Sequence, residues 1–175
     1  MSQLIKHRGV VEDDWTLLRD AVSLADVPAS GSVLVPVALW LSARDALIAR
    51  GDVGLWLHPG DDPAIIAGDL AQLLVVAVDF PQFTDGRGYS TARLLRDRYG
   101  FKGELRAIGD VLRDQLYYLQ QVGFDAFAIR VDRGAEGALK GLDDFAGTYA
   151  PTVPEPRPRF RRRIEGPGDV WFPGA

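Results

Sequence analysis

Short apolar runs alternate with helix-length segments along most of the chain, and that alternation predicts the fold class. Val33 to Pro36 reads as a buried strand and Ala38 to Ala49 as the helix after it. Val53 to Leu57 and Pro63 to Gln72 repeat the pair. Leu73 to Val78, LLVVAV, is apolar at every position, the pattern of a strand covered on both faces. Arg87 to Tyr99 then reads as a helix, Glu104 to Ile108 as a strand, Val111 to Val122 as a helix and Ala126 to Val131 as a strand. A weaker helical pattern runs from Ala135 to Phe145, and a further strand is expected near Gly9 to Val11.

The joints agree with this order. Gly100-Phe101 and Gly123-Phe124 each follow a helix and precede a strand, as a C′ glycine followed by an apolar residue packing back on the last turn. Gly51 repeats the glycine after the first helix. Asp110 stands where an N-cap belongs, and Leu112, Leu116 and Leu119 form an inward stripe on the helix behind it.

Repeated βα units predict an α/β domain with a mainly parallel sheet. Five or six units fall short of the eight in a complete barrel, which typically takes about 250 residues. A flavodoxin-like open sheet is the first expectation and a partial β/α barrel the second. Residues 1–150 are expected to form the single domain. Residues 151–175, PTVPEPRPRFRRRIEGPGDVWFPGA, change character: six prolines interrupt any helical periodicity. This extension is expected to be disordered or draped on the surface, or else an arm docking through Phe160, Trp171 and Phe172.

Composition narrows the chemistry. The chain of 175 residues has no cysteine and two histidines, His7 and His58. Thiolate nucleophiles, cysteine-held zinc and cysteine-ligated iron–sulfur clusters are therefore excluded, and a histidine-rich metal site is not expected. The net charge of −4 offers no general attraction for nucleic acid. No apolar run is long enough to span a bilayer, and the start, MSQLIKHRGVVEDDW, lacks a secretory apolar core. A cytoplasmic protein is expected. Arginine outnumbers lysine seventeen to three, which favours recognition of carboxylates and oxyanions over imine chemistry.

In parallel sheets ligands gather beyond the carboxyl ends of the strands. His58, Asp79, the loop Phe80 to Ser90, Gly109-Asp110 and the pair Arg130 and Asp132 all fall there. FPQFTDGRGYS is the richest stretch. Asp85, Arg87, Tyr89 and Ser90 supply an acid, a cation and two hydroxyls, and Gly86 and Gly88 permit close backbone approach to a ligand. A helix starting beside them would add free amides to Arg87 and Arg93 in holding an anion. The structural alternatives are a turn at Asp85-Gly86, a cap from Asp85 or Ser90, and an i, i+4 pair between Arg93 and Asp97. GRGYSTA is neither the dinucleotide fingerprint nor a Walker loop. Arg106 sits inside a strand and must be paired, with Glu104 two residues away as its neighbour, or line a polar cavity. Asp114 reads as a solvated first-turn acid, Gln115 as a surface or network residue, and His58 as a loop histidine.

The stretch FPQFTDGRGYSTARLLRDRYGFKGELRAIGDVLRDQLYYLQQVGFDAF, Phe80 to Phe127, resembles a bacterial family, domain of unknown function 934. Asp14-Trp15 and the strand containing Gly54 fit it more loosely, and the Pro/Arg extension lies outside the shared block. Asp85, Gly86, Arg87, Tyr89, Ser90, Arg93, Arg106, Gly109, Asp110, Asp114 and Gln115 carry the resemblance. It implies an oxidoreductase label tied to sulfite reduction, with sulfite reductase as the partner, and no established catalytic residues. Without cysteines the chain cannot carry the reductase's own cluster, so the expectation is an accessory of sulfite or sulfate assimilation that binds a small oxyanion. The alternatives are a small α/β enzyme using Asp85, Arg87 and Tyr89 with Arg106 and Asp110, and a flavin-binding oxidoreductase. A homo-oligomer is also open.

Overall fold

The computed structural model describes residues 3–129 and 134–165. Among the described residues, eight strands form one sheet. They are β1 (Gln3–Lys6), β2 (Gly9–Glu12), β3 (Thr16–Leu17), β4 (Val33–Pro36), β5 (Val53–Leu57), β6 (Val75–Phe80), β7 (Glu104–Gly109) and β8 (Ala126–Ala128). Their spatial order is β2-β1-β8-β7-β6-β5-β4-β3. From β3 to β8 all neighbours are parallel, and β1 joins β8 antiparallel with β2 as its hairpin partner. The α/β expectation with a mainly parallel sheet is met.

The order also separates the two architectures named above. A flavodoxin-like sheet reverses its strand order at a switch point. Here β3 to β8 follow one another without reversal, as in a β/α barrel. The partial barrel is therefore the architecture, and the flavodoxin-like preference is corrected.

The curl follows from chain length. A flat sheet of eight strands would be roughly 34 Å across at about 4.8 Å per spacing. Yet β2 and β3, at its opposite edges, are joined by Asp13, Asp14 and Trp15 alone. That connection reaches at most about 15 Å from Glu12 to Thr16. The sheet must therefore curve until its edges approach, with the connection as the chord across its hollow side. Trp15 packs over Gly54 on that side, where a Cβ would stand 3.1 Å from the indole, and Asp13 reaches Arg106 at 2.7 Å.

Alternation along the strands produces two packed faces. Val33, Val35, Leu55, Leu57, Val76, Val78, Leu105, Ala107 and Phe127 join the larger core under the helices. Leu34, Val75, Ala77 and Ile108 point into the hollow, where Trp15, Leu17 and Trp56 cover them. The helices are α1 (Val37–Arg50), α2 (Arg87–Arg93), α3 (Leu116–Gln121), α4 (Ala135–Leu139) and α5 (Arg159–Glu165). Helix α2 runs on through a π-helical turn, Leu94–Arg98. The predicted helix at Pro63 to Gln72 is instead two 3-10 turns, Pro63–Ile66 and Leu70–Gln72. Gly68 and Asp69 interrupt the segment between them, and Asp69 turns inward to accept the Trp40 indole N–H at 2.7 Å.

The glycine joints hold. Gly100 and Gly123 take positive φ, and the amides of Phe101 and Phe124 donate back to the carbonyls of Leu95 and Leu119. Both phenylalanines are buried. The π-helical turn brings Arg96 beneath the sheet, where its guanidinium donates to the carbonyls of Phe101, Gly103 and Gly123 and to Asp125. The extension docks at least through Glu155: Thr152 to Glu155 are buried, and the Val153 amide donates to the Gln121 carbonyl at 2.9 Å. Phe160 is exposed on α5, while Trp171 and Phe172 lie outside the described residues.

Candidate functional site

The carboxyl ends of β3, β6 and β7 meet in an open cleft of about 460 Å³ lined by Arg19, Asp79, Phe80, Pro81, Gly109 and Asp110. Asp79 is the next-to-last residue of β6 and points to the hollow side, opposite Val78 and Phe80. It is only 3 % exposed. A buried carboxylate needs a partner, and Arg19, just past β3, provides one end-on. Its Nη2 donates to Oδ1 at 2.8 Å and its Nη1 to Oδ2 at 3.2 Å. The guanidinium also lies 5.6 Å from the Trp56 ring centre, and the Trp56 indole donates to the Leu18 carbonyl at 3.1 Å, which fixes the chain before Arg19. The hydrogen bonds to Asp79 raise the Arg19 pKa above its ordinary value against the opposing effect of burial.

Arginine has five N–H donors, of which Asp79 takes two. The side chain is 44 % exposed, so the outward part of the fork faces the cleft. This arrangement can hold an oxyanion: a buried carboxylate orients the cation and leaves its outer donors toward the cleft.

Gly109 keeps the wall of the cleft low. Its φ is +94°, and a Cβ there would stand 2.4 Å from the Phe80 carbonyl oxygen and 2.8 Å from Oδ1 of Asp79. Both the backbone angle and the space demand glycine. The turn lets the Asp110 amide donate to the Phe80 carbonyl at 2.6 Å.

Asp110 is not the helix cap the sequence suggested. Its carboxylate accepts the Phe83 amide at 3.1 Å and so holds the loop after β6. The first turn of the following helix begins later, after Leu112, whose amide donates to Oε1 of Gln115 at 2.9 Å. Nε2 of Gln115 returns to the Phe83 carbonyl at 2.9 Å. Gln115 is thus the network residue that fastens the loop, while Asp114 stays exposed on the 3-10 turn.

The loop Phe80 to Ser90 is organised differently from its expected use. Asp85 and Arg87 close on each other, with Nε donating to Oδ1 at 3.0 Å and Nη2 to Oδ2 at 2.7 Å. The Arg87 side-chain bonds come first, and its backbone amide next, in pulling the Asp85 pKa down to about 2. His58 is an exposed loop residue, as expected. Gly86 has ordinary backbone angles. Gly88 does serve a close approach, but to the Phe80 ring: a Cβ would meet it at 2.5 Å. Tyr89 packs edge-on against Phe80 at 5.6 Å, and burial raises its pKa while a hydrogen bond with Gln115 opposes this. Ser90 is exposed, and Arg93 makes the i, i+4 pair with Asp97 at 2.9 Å on the outer surface.

Arg106 lies in the hollow at the other end of the strands. It is buried and pairs with Glu104 and with Asp13, each at 2.7 Å, and Lys6 joins Glu104 at 2.6 Å. It is a paired strand arginine that binds the chord segment to β7, apart from the cleft. Of the predicted site residues, the fold therefore brings together Asp79, Gly109 and Asp110, and leaves Arg106 and Arg93 elsewhere. Arg130 and Asp132 lie outside the described residues.

Arg19 was not foreseen. Thr16-Leu17 is too short a strand to be legible, so nothing marked the residue after it as sitting at a strand end. A faint signal was present: Asp79 is a lone acid inside an apolar strand, and such a residue requires a cation from elsewhere in the chain.

Residues 54–160 match the family described as bacterial protein of unknown function (DUF934). The chain belongs to that family. The match covers Asp79, the loop 80–90, Arg96, Gly109, Asp110, Gln115 and Asp125, and it extends into the Pro/Arg segment as far as Phe160. Arg19, Asp13 and Trp15 precede it. No curated protein and no solved structure matches the chain. Among the described residues, no helix is long and apolar enough to cross a membrane.

Proposed function

We propose that this DUF934 protein is a cytoplasmic accessory of sulfite or sulfate assimilation that binds a small oxyanion in the Arg19–Asp79 cleft and works alongside sulfite reductase. The pathway rests on the family resemblance, and the ligand class rests on the chemistry of the cleft. One observation carries the ligand class: a half-exposed arginine held from behind by a buried carboxylate at the carboxyl ends of parallel strands. Sulfite and sulfate offer the oxygen acceptors that the outer donors of such a fork can take.

Catalysis from the loop 80–90 has weaker support. Arg87 and Arg93 pair with Asp85 and Asp97, carboxylates less buried than Asp79, so neither guanidinium is backed from behind as Arg19 is. The unreversed strand order also supplies no flavodoxin-type crevice for a flavin.

Growth of a deletion strain on sulfate, sulfite and cysteine as sole sulfur sources tests the pathway. The expected result is impaired growth on sulfate and sulfite and normal growth on cysteine. Complementation by the wild-type gene but not by Arg19→Gln ties the defect to the cleft. Normal growth on all three sources sinks the reading.

A further inference from the structure

The strongest feature outside the cleft is a surface of rings and arginines. Tyr117, Tyr118 and Phe145 form a three-ring cluster with centroid separations of 4.9 to 6.1 Å. Two of these rings are more than half exposed, Tyr118 at 56 % and Phe145 at 54 %. Helix α5 is tied to the segment that follows Phe145. The Arg159 amide donates to the Tyr149 carbonyl at 3.2 Å, and Nη2 of Arg162 donates to the Thr148 carbonyl at 2.7 Å. On α5 itself Phe160 and Ile164, spaced i and i+4, share one face, and both are exposed.

The segment is held firmly behind this face. Thr152 to Glu155 are buried against the end of α3, and Glu155 pairs with Arg157. The anchor at Gln121 precedes β8, so it sits at the opposite end of the sheet from Asp79 and Asp110.

Charge says what kind of partner fits. Residues 151–165 carry five arginines against two glutamates, whereas residues 1–150 carry 21 acids against 15 basic residues. The basic surface is thus a local feature on an acidic body. Helix α5 is only seven residues long, short for a helix that lies in a membrane interface. Rings and arginine without lysine match the composition of protein interface centres, where a planar fork pairs with carboxylates.

We propose that the face formed by Tyr118, Phe145, Tyr149 and α5 docks an acidic, carboxylate-rich surface of a partner protein. The proposal deepens the accessory reading and rests on it for the existence of a partner. Exposed side chains supply the test with little risk to folding. The probe is purified sulfite reductase from the same organism, and binding to the full chain is measured at low and at moderate salt. The variants are Arg159→Glu/Arg161→Glu/Arg163→Glu and, separately, Phe160→Ala/Ile164→Ala, each checked for an unchanged melting temperature.

The expected result is wild-type binding that weakens with salt, weakened by at least about tenfold in the charge-reversed variant and with a flatter salt dependence. The apolar variant should lose affinity without losing the salt dependence. Binding that is equal in all three proteins overturns the docking face and leaves the partnership standing. No binding by the wild type overturns both. Attachment of the wild type to vesicles containing phosphatidylglycerol, abolished by the charge reversal, assigns the face to a membrane and overturns the proposal. The cleft reading fails separately, on the oxyanion.

Discussion

Arg19 and Asp79 depend on each other in unequal ways. Asp79 is buried, and its partner covers it; Arg19 keeps part of its fork in solvent. Removing the cation strands a carboxylate in a poorly solvated place, so Arg19→Met is expected to destabilise the fold by about 3 kcal/mol. Removing both charges, in Arg19→Met/Asp79→Leu, should recover most of that loss, because no buried charge is left unpaired. Urea denaturation of the two variants checks both statements. Equal destabilisation of single and double variants would show that the pair does not act as a unit.

Gly109 is a second point where one atom decides the geometry. Gly109→Ala puts a methyl within 2.8 Å of the Asp79 carboxylate and forces a left-handed φ on a residue with a Cβ. The expected cost is about 2–4 kcal/mol, which for a chain of this size lowers the melting temperature by roughly 4–16 °C. The sequence identified Gly109 and Asp110 as strand-end residues but misread the role of Asp110. A carboxylate before a helical pattern resembles a cap whether it bonds the helix or a loop brought alongside by tertiary folding. That choice was made by Phe83, 27 positions earlier in the chain.

At the scale of elements, β4, α1, β5, β7 and their glycine joints were legible because each satisfies a local rule: a two-residue or 3.6-residue period, and a glycine where φ turns positive. The misses were elements that no local rule supports. β3 has two residues, and β1 is a four-residue strand whose partner β8 lies some 120 residues away. The π-helical turn was hidden inside a normal helical pattern, and it exists where Arg96 must reach three carbonyls and Asp125.

That junction has a pH signature. Burial disfavours charge on both partners, lowering the Arg96 pKa and raising that of Asp125 to about 6. Native Asp125 therefore holds its proton to about pH 6, whereas the unfolded chain releases it near 3.8. Between those values the native state binds more protons, so stability falls as pH rises. The stabilising contribution is fully present below about pH 4 and lost as pH rises through about 6. Denaturation across that range, compared with Asp125→Asn, should show this slope in the wild type and not in the variant. The exposed Asp85–Arg87 pair acts with the opposite sign, and its contribution fades as pH falls toward 2.

At the scale of the whole molecule, two tethers define the shape. Asp13 to Trp15 forces the sheet to curl, and Thr152 to Glu155 closes the helical side over the end of α3. Composition alone could not reveal the second tether, since a proline-rich segment with a short buried turn reads the same as one without. A chain ending at 150 should lose about 2 kcal/mol or more relative to the full chain, because it uncovers the Gln121 carbonyl and the Val153 contact at Gly123. Thermal denaturation of the truncated and full chains decides it. The curl also determines where the strand ends converge, and so why Arg19 from one edge of the sheet can reach Asp79 in its middle.

The central claim is that a small oxyanion binds where that convergence occurs. Titration of the 15N-labelled protein with sulfite, followed by amide and arginine side-chain NMR, tests it directly. The predicted result is saturable shifts confined to Arg19, Phe80, Gly109, Asp110 and their neighbours, abolished in Arg19→Gln and unaffected in Arg93→Gln. Shifts centred on Arg93 or on α5, or a cleft that does not respond at saturating sulfite, would contradict it.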